Sequence, residues 1–273
     1  MALALIASVV FLLPGPADAA GGKYALVVGV GDFLSSATKS NPGSVGDAVD
    51  VTTLLSGEGY EVRTLTDATA TASAIRSGLS WLADKCDPGT DCALHYSGHV
   101  KQAAFNDGDS ESLDEALWPY DGAFIPDGEL ASYLRQLKGR AWINISGCEA
   151  AGFNDSVASS NRLFTASSLE SQKSYESPEW SNSIWTGLLV DQGMLQDQAD
   201  ANGDGHATLS EAFNWAQPRA TEHTLKQRKG KQTPYMAGGG LESWFPSLAS
   251  PSYSADLPAG PPPGRFCILF ICL

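Results

Sequence analysis

The chain has 273 residues, 43% of them hydrophobic, and a formal net charge of −14. That length holds one large α/β domain or two small ones, and the apolar share fills a sizeable core. The acidity excludes nucleic acid as a partner, because no basic stripe is present to replace counterions, while it suits a surface that attracts cations or basic substrates.

The first residues read as a processing signal. Ala2–Leu13 is an apolar run too short to cross a bilayer, broken by Pro14-Gly15-Pro16 and followed by the small residues Ala17, Asp18 and Ala19. Although no Lys or Arg precedes the run, residues 1–19 are expected to be a signal peptide cleaved after Ala19. The mature protein is then exported (secreted, periplasmic or at the cell surface), with no transmembrane span. Little chain would precede the first strand after cleavage, so no N-terminal prodomain is expected. The cysteines agree with an oxidising compartment. Cys86 and Cys92 bracket the turn DPGTD, Cys267 and Cys272 lie close together in the tail, and Cys148 is left over. Spacing alone leaves their connectivity open.

Tyr24–Val30 is continuously apolar, as a strand buried on both faces should be. Ser44 and Asp47 then stand at capping-box spacing. Val45, Ala48, Val49, Thr52 and Leu55 follow at helical period until Gly57 and Gly59. Tyr60–Leu65 reads as a second strand, and residues 71–85 as a helix with Ile75, Leu79 and Leu82 on one face. A short strand at Ala93–Ser97 ends in Gly98-His99. Residues 101–126, rich in Asp, Gly and Ser, read as a long loop of the kind that is functional or disordered. Asp127 is placed to cap a short helix bearing Leu130, Leu134 and Leu137. The strand Ala141–Ile145 ends in Ser146-Gly147-Cys148, and a strand at Leu163–Ala166 and a helix near 183–195 follow. This alternation predicts parallel strands joined by right-handed crossovers, in one domain over about 23–247. Residues 248–273 form a Pro-rich tail with an apolar end too short to span a membrane.

Two strands thus each end in a glycine followed by one reactive side chain, His99 and Cys148, and open α/β sheets bind ligands at the carboxyl ends of their strands. A lone cysteine there is ordinarily a small buried hydrophobe. A neighbouring imidazole changes its prospects. It makes the thiolate accessible from a thiol of pKa about 8.5 and can later protonate a leaving amine. His95, inside its strand, is expected in the core, and Glu149 and the acids of 107–115 on solvated faces. A second motif, Asp200 to Glu211, matches an EF-hand loop at every defined position. Asp200, Asn202 and Asp204 supply oxygens at positions 1, 3 and 5, the carbonyl of His206 at position 7 and the carboxylate of Glu211 at position 12, with the turn at Gly205. The expected cofactor is Ca2+, with no organic cofactor. Gly29-Val30-Gly31-Asp32-Phe33 is not G-x-G-x-x-G, which weakens a flavodoxin-like binding domain as an alternative.

With these stretches placed, the sequence resembles the caspase and metacaspase family of cysteine peptidases over about Lys23 to Pro234. YALVVGV, GSVGDAVDV, HYSGHV, ALWPYDG…IPDGEL and INISGCEAAGF fall in the family's order, and His99 precedes Cys148 at close to the roughly 50-residue caspase spacing. The resemblance implies a caspase-like three-layer αβα sandwich with a mostly parallel central sheet. It also implies a His99/Cys148 dyad and an oxyanion site at the backbone N–H groups of Cys148 and Val100. Protein or peptide substrates follow from it. Asp47 matches the acid that relatives place at the start of the first helix, where it binds a basic substrate side chain, so cleavage after Arg or Lys is expected; as partner of Ser44 it would be a cap instead, and the sequence leaves both roles open.

Three positions depart from the family pattern. Val100 replaces the usual Gly and is expected to narrow the cleft. Ser146 replaces an Asp that lines the pocket in metacaspases, and Glu149-Ala150-Ala151-Gly152 replaces a His-Ser-Gly run. These departures motivate an alternative, a catalytically inactive calcium-binding pseudopeptidase that recognises proteins. Metacaspases are often activated by calcium and self-cleave after basic residues, for which Arg162 and Lys173 are the candidates here.

Overall fold

The computed structural model describes residues 21–105, 113–156 and 161–238. The expected signal peptide, the tail with Cys267 and Cys272, and the acids at 107–112 lie outside them. The central strand is β1 (Lys23–Gly29), whose run of Ala25, Leu26, Val27 and Val28 is buried throughout. Around it lie β2 (Glu61–Thr66), β3 (Asp91–Ser97), β7 (Arg140–Ser146), β8 (Arg162–Ala166) and β11 (Tyr235–Gly238). Their order in the sheet is β11-β8-β7-β3-β1-β2. Every pair is parallel except β11 with β8. The register matters for function: Gly29 pairs with Ser97 and Ser97 with Ser146, so β1, β3 and β7 end in one row.

Alternate residues of a strand face opposite sides, and each side of this sheet has its own core. Leu26, Val28, Leu94, Tyr96, Ile143 and Ile145 pack with Ile75, Leu79 and Leu82 of α2 (Ala72–Lys85) and Leu130 and Leu134 of α3 (Asp127–Leu134). Ala25, Val27, Ala93 and Trp142 pack with Ala48, Val51 and Leu55 of α1 (Gly43–Gly57). Leu188 and Leu189 of a π-helical segment, Gly187–Leu195, and Ala212 and Ala216 of α5 (Leu209–Lys226) complete that side. The result is an αβα sandwich around a mostly parallel sheet, as the sequence predicts.

Three expectations are corrected. Residues 101–126 are not one loop: β4 (Val100–Ala103), β5 (Asp114–Leu117) and β6 (Ile125–Pro126) form an antiparallel sheet. Asp114 and Glu115, read as solvated, are buried in it, accepting hydrogen bonds from the Phe105 N–H (2.7 Å) and Gln102 Nε2 (2.8 Å). Their polar character hid a strand. The expected helix near 183–195 is present, as α4 (Ile184–Thr186) continued by the π-helical segment, and it is preceded by the strand pair β9 (Glu176–Ser177) and β10 (Asn182–Ser183). Finally, α1 begins at Gly43 with no side-chain cap, so Ser44 and Asp47 form no capping box. Cys86 and Cys92 are joined in a disulfide, and Cys148 is free.

Candidate active site

The two strand exits meet because both carry glycine. A Cβ on Gly147 would stand 2.7 Å from Val100 Cγ2 and 2.9 Å from the Gly98 carbonyl, closer than real contacts allow. His99 and Cys148 consequently line one cleft of about 350 Å³. Val100, expected to narrow that cleft, instead rests against Gly147 and is not among the lining residues.

His99 is held from two sides. Its ring stacks on Phe33, with centroids 5.1 Å apart and planes 15° from parallel. Its Nε2 is 2.7 Å from the Lys39 carbonyl. A carbonyl can only accept, so Nε2 carries the proton and Nδ1 is left with the lone pair a base needs. Cys148 is half-buried, and its Sγ lies 3.9 Å from the Ser174 carbonyl. Burial pushes its thiol up, the nearby Glu149 carboxylate adds to that, and the Ser174 contact and Lys173 work against it. The two side chains share the cleft without a hydrogen bond between them; catalytic contacts in substrate-free sites are often long and tighten on binding.

Two backbone N–H groups at these strand exits are left uncommitted. The N–H groups of Gly147, Glu149, Ala150 and Ala151 bond to Ser167 Oγ, the Gln172 carbonyl, Ser168 Oγ and the Ser168 carbonyl. That of Cys148 has no partner among the described residues. The Trp118 N–H donates to the His99 carbonyl, which makes the next pair, Val100 with Leu117, a non-hydrogen-bonded one. The Val100 N–H therefore points away from β5. Both groups named for the oxyanion from the sequence are uncommitted.

The cleft floor is a set of hydroxyls from Ser44, Ser97, Ser146 and Ser183. Asp47 lies beneath it, fully buried and not lining the cleft. Its Oδ2 accepts from Ser97 Oγ (2.7 Å), and its Oδ1 from the Ser183 N–H (2.9 Å) and Asn182 Nδ2 (3.2 Å). Burial raises its pKa against the pull of those hydrogen bonds. Ser146 Oγ is 2.9 Å from Ser183 Oγ, so the residue that replaces the family's acid belongs to this hydroxyl floor. The carboxylate that does line the cleft is Glu176, which accepts from the Gly43 N–H at 2.7 Å and whose pKa is raised mainly by burial. Asn41 Oδ1, on a lining residue, is buried without a hydrogen-bond partner. Lys39 and Lys229 stand at the same cleft.

Sequence reasoning missed Lys39, Phe33, Ser174 and Glu176. Lys39 and Ser174 act through backbone carbonyls, which leave no trace in residue identity. Glu176 sits on a two-residue strand that no periodicity marks. Glu149, read as solvated, is buried and ion-paired with Lys173. Arg162 is buried in β8, its Nη2 donating to the Leu137 carbonyl (3.3 Å), which withdraws it as a self-cleavage candidate. His95 is in the core as expected, and burial lowers its pKa to about 3.

In the 200–211 loop, Asp200 accepts from the Gly203 and Gly205 N–H groups (2.8 and 2.9 Å). Asn202 accepts from Asp204 (2.8 Å) and Asp204 from His206 (3.1 Å). Glu211 Oε2 caps α5 through the Thr208 N–H and hydroxyl (2.9 and 2.8 Å). Among the described residues no group of three or more His, Cys, Asp or Glu lies together as a metal site requires. The oxygen-only donor set suits calcium, and the bonds now holding those oxygens would have to rearrange to admit it.

Comparison with known proteins bears on the family and the fold. A family model described as caspase domain matches residues 22–241. The chain is 29% identical over 161 residues to Metacaspase-1 of Scheffersomyces stipitis, a match taking in 54% of this chain and 38% of that protein. The aligned part is thus well under half the length of that relative. Among solved structures, a Geobacter sulfurreducens protein superposes with a TM-score of 0.62 at 18% identity, covering 80% of this chain and 94% of the other. Caspase-1 from Spodoptera frugiperda does so with a TM-score of 0.56 at 12% identity, covering 80% and 87%. At such identities the superpositions speak for the fold.

Proposed function

The chain belongs to the caspase-domain family, and from that premise we propose that it is a cysteine endopeptidase working through Cys148 and His99. The observation that carries this reading is the shared cleft, with two uncommitted backbone N–H groups beside the thiol. His99, its proton fixed on Nε2 by Lys39, offers Nδ1 to take the thiol proton as substrate closes the gap. The thiolate attacks the scissile carbonyl, and the N–H groups of Cys148 and Val100 hold the oxyanion. The imidazolium then protonates the leaving amine, and water, deprotonated by the same ring, releases the acyl fragment.

Cleavage after Arg or Lys is our reading of the cleft, with Glu176 as the carboxylate that meets the cation and Asn41 Oδ1 as a second acceptor. Asp47 acts one layer down by orienting the Ser97 hydroxyl and the Ser183 backbone. Export is supported by the apolar run before Ala19 and by the Cys86–Cys92 disulfide, which persists in oxidising compartments. Calcium at Asp200, Asn202, Asp204, the His206 carbonyl and Glu211 is proposed from the donor set. Binding requires Glu211 to leave its cap or to share its second oxygen. Titration with calcium should raise the Tm, and Asp200→Ala should abolish that rise; an unchanged Tm would remove the ion from the account.

Profiling with a peptide library tests the main reading: cleavage after Arg or Lys is expected, absent in Cys148→Ala. One observation favours a non-cleaving recognition module, namely that the raised thiol contacts Ser174 rather than His99. No cleavage of any library member by the folded protein would favour that module.

A further inference from the structure

On the side of His99 away from the serines lies a row of aromatic rings, outside the cleft lining, that the dyad does not explain. Phe33 stacks on His99, and Trp118 lies 5.9 Å from the imidazole, tilted by 58°. Phe124 packs edge-on against Trp118 at 5.0 Å, and Phe105 against Phe124 at 5.8 Å. Phe33 is buried, whereas Trp118, Phe124 and Phe105 each keep part of their surface open. Beside them Leu34, hydrogen-bonded through its N–H to the Tyr120 carbonyl at 2.9 Å, is 67% exposed. A large apolar side chain held outward by a backbone bond to Tyr120, on the segment that carries Phe33, adds to these half-open rings as an apolar shelf.

The position of the shelf relative to the sheet says what would use it. The residues of the floor and Glu176 belong to the α1 side, where Ala48, Ile184 and Trp185 pack. Phe33, Trp118 and Tyr120 pack with the opposite core, against α2 and α3. His99 stands at the boundary. In the proposed reaction the acyl fragment stays on Cys148 with its side chain among the serines. The imidazole must reach the amine that departs, so the leaving fragment crosses the His99 side. We propose that this shelf binds an apolar side chain on the leaving side of the scissile bond, making Leu34 and Phe124 determinants of substrate specificity beyond the basic residue. Two ring-to-ring steps from His99 to Phe124 equal about three extended residues, which places the contact within the first three leaving-side positions.

This inference rests on the peptidase reading, and the test separates the two. Peptides sharing one acyl-side sequence with Arg at the cleavage position would carry either Leu and Phe or Asp and Ser at the first three leaving-side positions. The wild-type chain should prefer the apolar series by about tenfold in kcat/KM, the scale of one well-placed apolar contact. Leu34→Asp, at an exposed position that folding tolerates, and Phe124→Ala, two rings from the imidazole, should each cut that ratio to about twofold. The preference among acyl-side residues should stay as in wild type. Cleavage of both series with no wild-type preference, or a preference that survives Leu34→Asp and Phe124→Ala, would overturn the shelf and leave the peptidase standing. A joint shift of acyl-side and leaving-side profiles would also overturn it, since that marks a disturbed His99. No cleavage of either series would remove the peptidase reading, and the shelf with it.

Discussion

His95 and His99 lie four residues apart on the same segment and end in opposite surroundings. His95, inside β3, is 1% exposed; its Nδ1 accepts from Asn144 Nδ2 at 2.9 Å, while its Nε2 has no partner. Asn144 in turn accepts from Trp185 Nε1 (3.0 Å) and Thr165 Oγ1 (2.9 Å), which locks the ring in a neutral state. His99, one glycine beyond the strand, is half-exposed, stacked on one face and anchored at one nitrogen only. The difference teaches that residue type alone does not make a histidine available for chemistry. Leaving the strand does, because the ladder no longer dictates where the side chain points and solvent or substrate can reach the free nitrogen.

The largest expected effect lies on the outer histidine. His99→Ala should lower kcat by about 10³-fold, within the range typical of a lost acid–base group, with little change in Tm. His95→Ala should do the reverse. A cavity and an unpaired Asn144 amide should cost about 2–4 kcal/mol, read by denaturant unfolding, with activity per folded molecule retained. If His95→Ala abolished turnover in folded protein, the comparison would break.

A smaller effect is expected in the pocket: Glu176→Gln should lower kcat/KM for basic substrates by roughly 10–100-fold, the range of a charge-assisted contact of about 1.5–3 kcal/mol. Asp47→Asn should act mainly on stability, since three donors converge on that carboxylate and none of its oxygens meets the cleft.

The smallest effect is a slope. His95 has a folded pKa of about 3 against 6.5 unfolded, so the folded state binds fewer protons. Its contribution is whole above pH 6.5 and declines as pH falls through the window down to about 3, by about 1.4 kcal/mol per unit at most. Asp50, raised to about 6, and Glu58, raised to about 7, act in the opposite sense and gain stability on protonation. The effect is therefore read as the difference between wild type and a His95→Phe variant across pH 4–6.5. The two stability curves should converge toward acid pH; parallel curves would mean that His95 titrates normally.

The sheet was legible because its signal is simple. Tyr24–Val30, Ala93–Ser97 and Ala141–Ile145 are apolar on both faces, and each lands within two residues of an observed strand end. That His99 and Cys148 stand at neighbouring strand exits on one cleft was legible from motif order, whereas Asp47, read as a substrate contact, lies buried beneath the cleft. The small sheet was not legible, since β5 opens with Asp114 and Glu115, each of which accepts a hydrogen bond from a neighbouring segment that no local pattern announces. Glu176 was hidden for the same reason. Its place in the cleft depends on Gly43, which is 133 residues away, and no local window holds both.

The most direct test of the central claim is covalent labelling of the folded chain with an Arg-bearing peptidyl acyloxymethyl ketone, read by mass spectrometry. Modification should fall on Cys148, in one-to-one ratio, and should slow at least about 100-fold in His99→Ala. Equal labelling rates in wild type and His99→Ala, or no labelling of Cys148, would contradict the claim that the two strand exits form one catalytic pair.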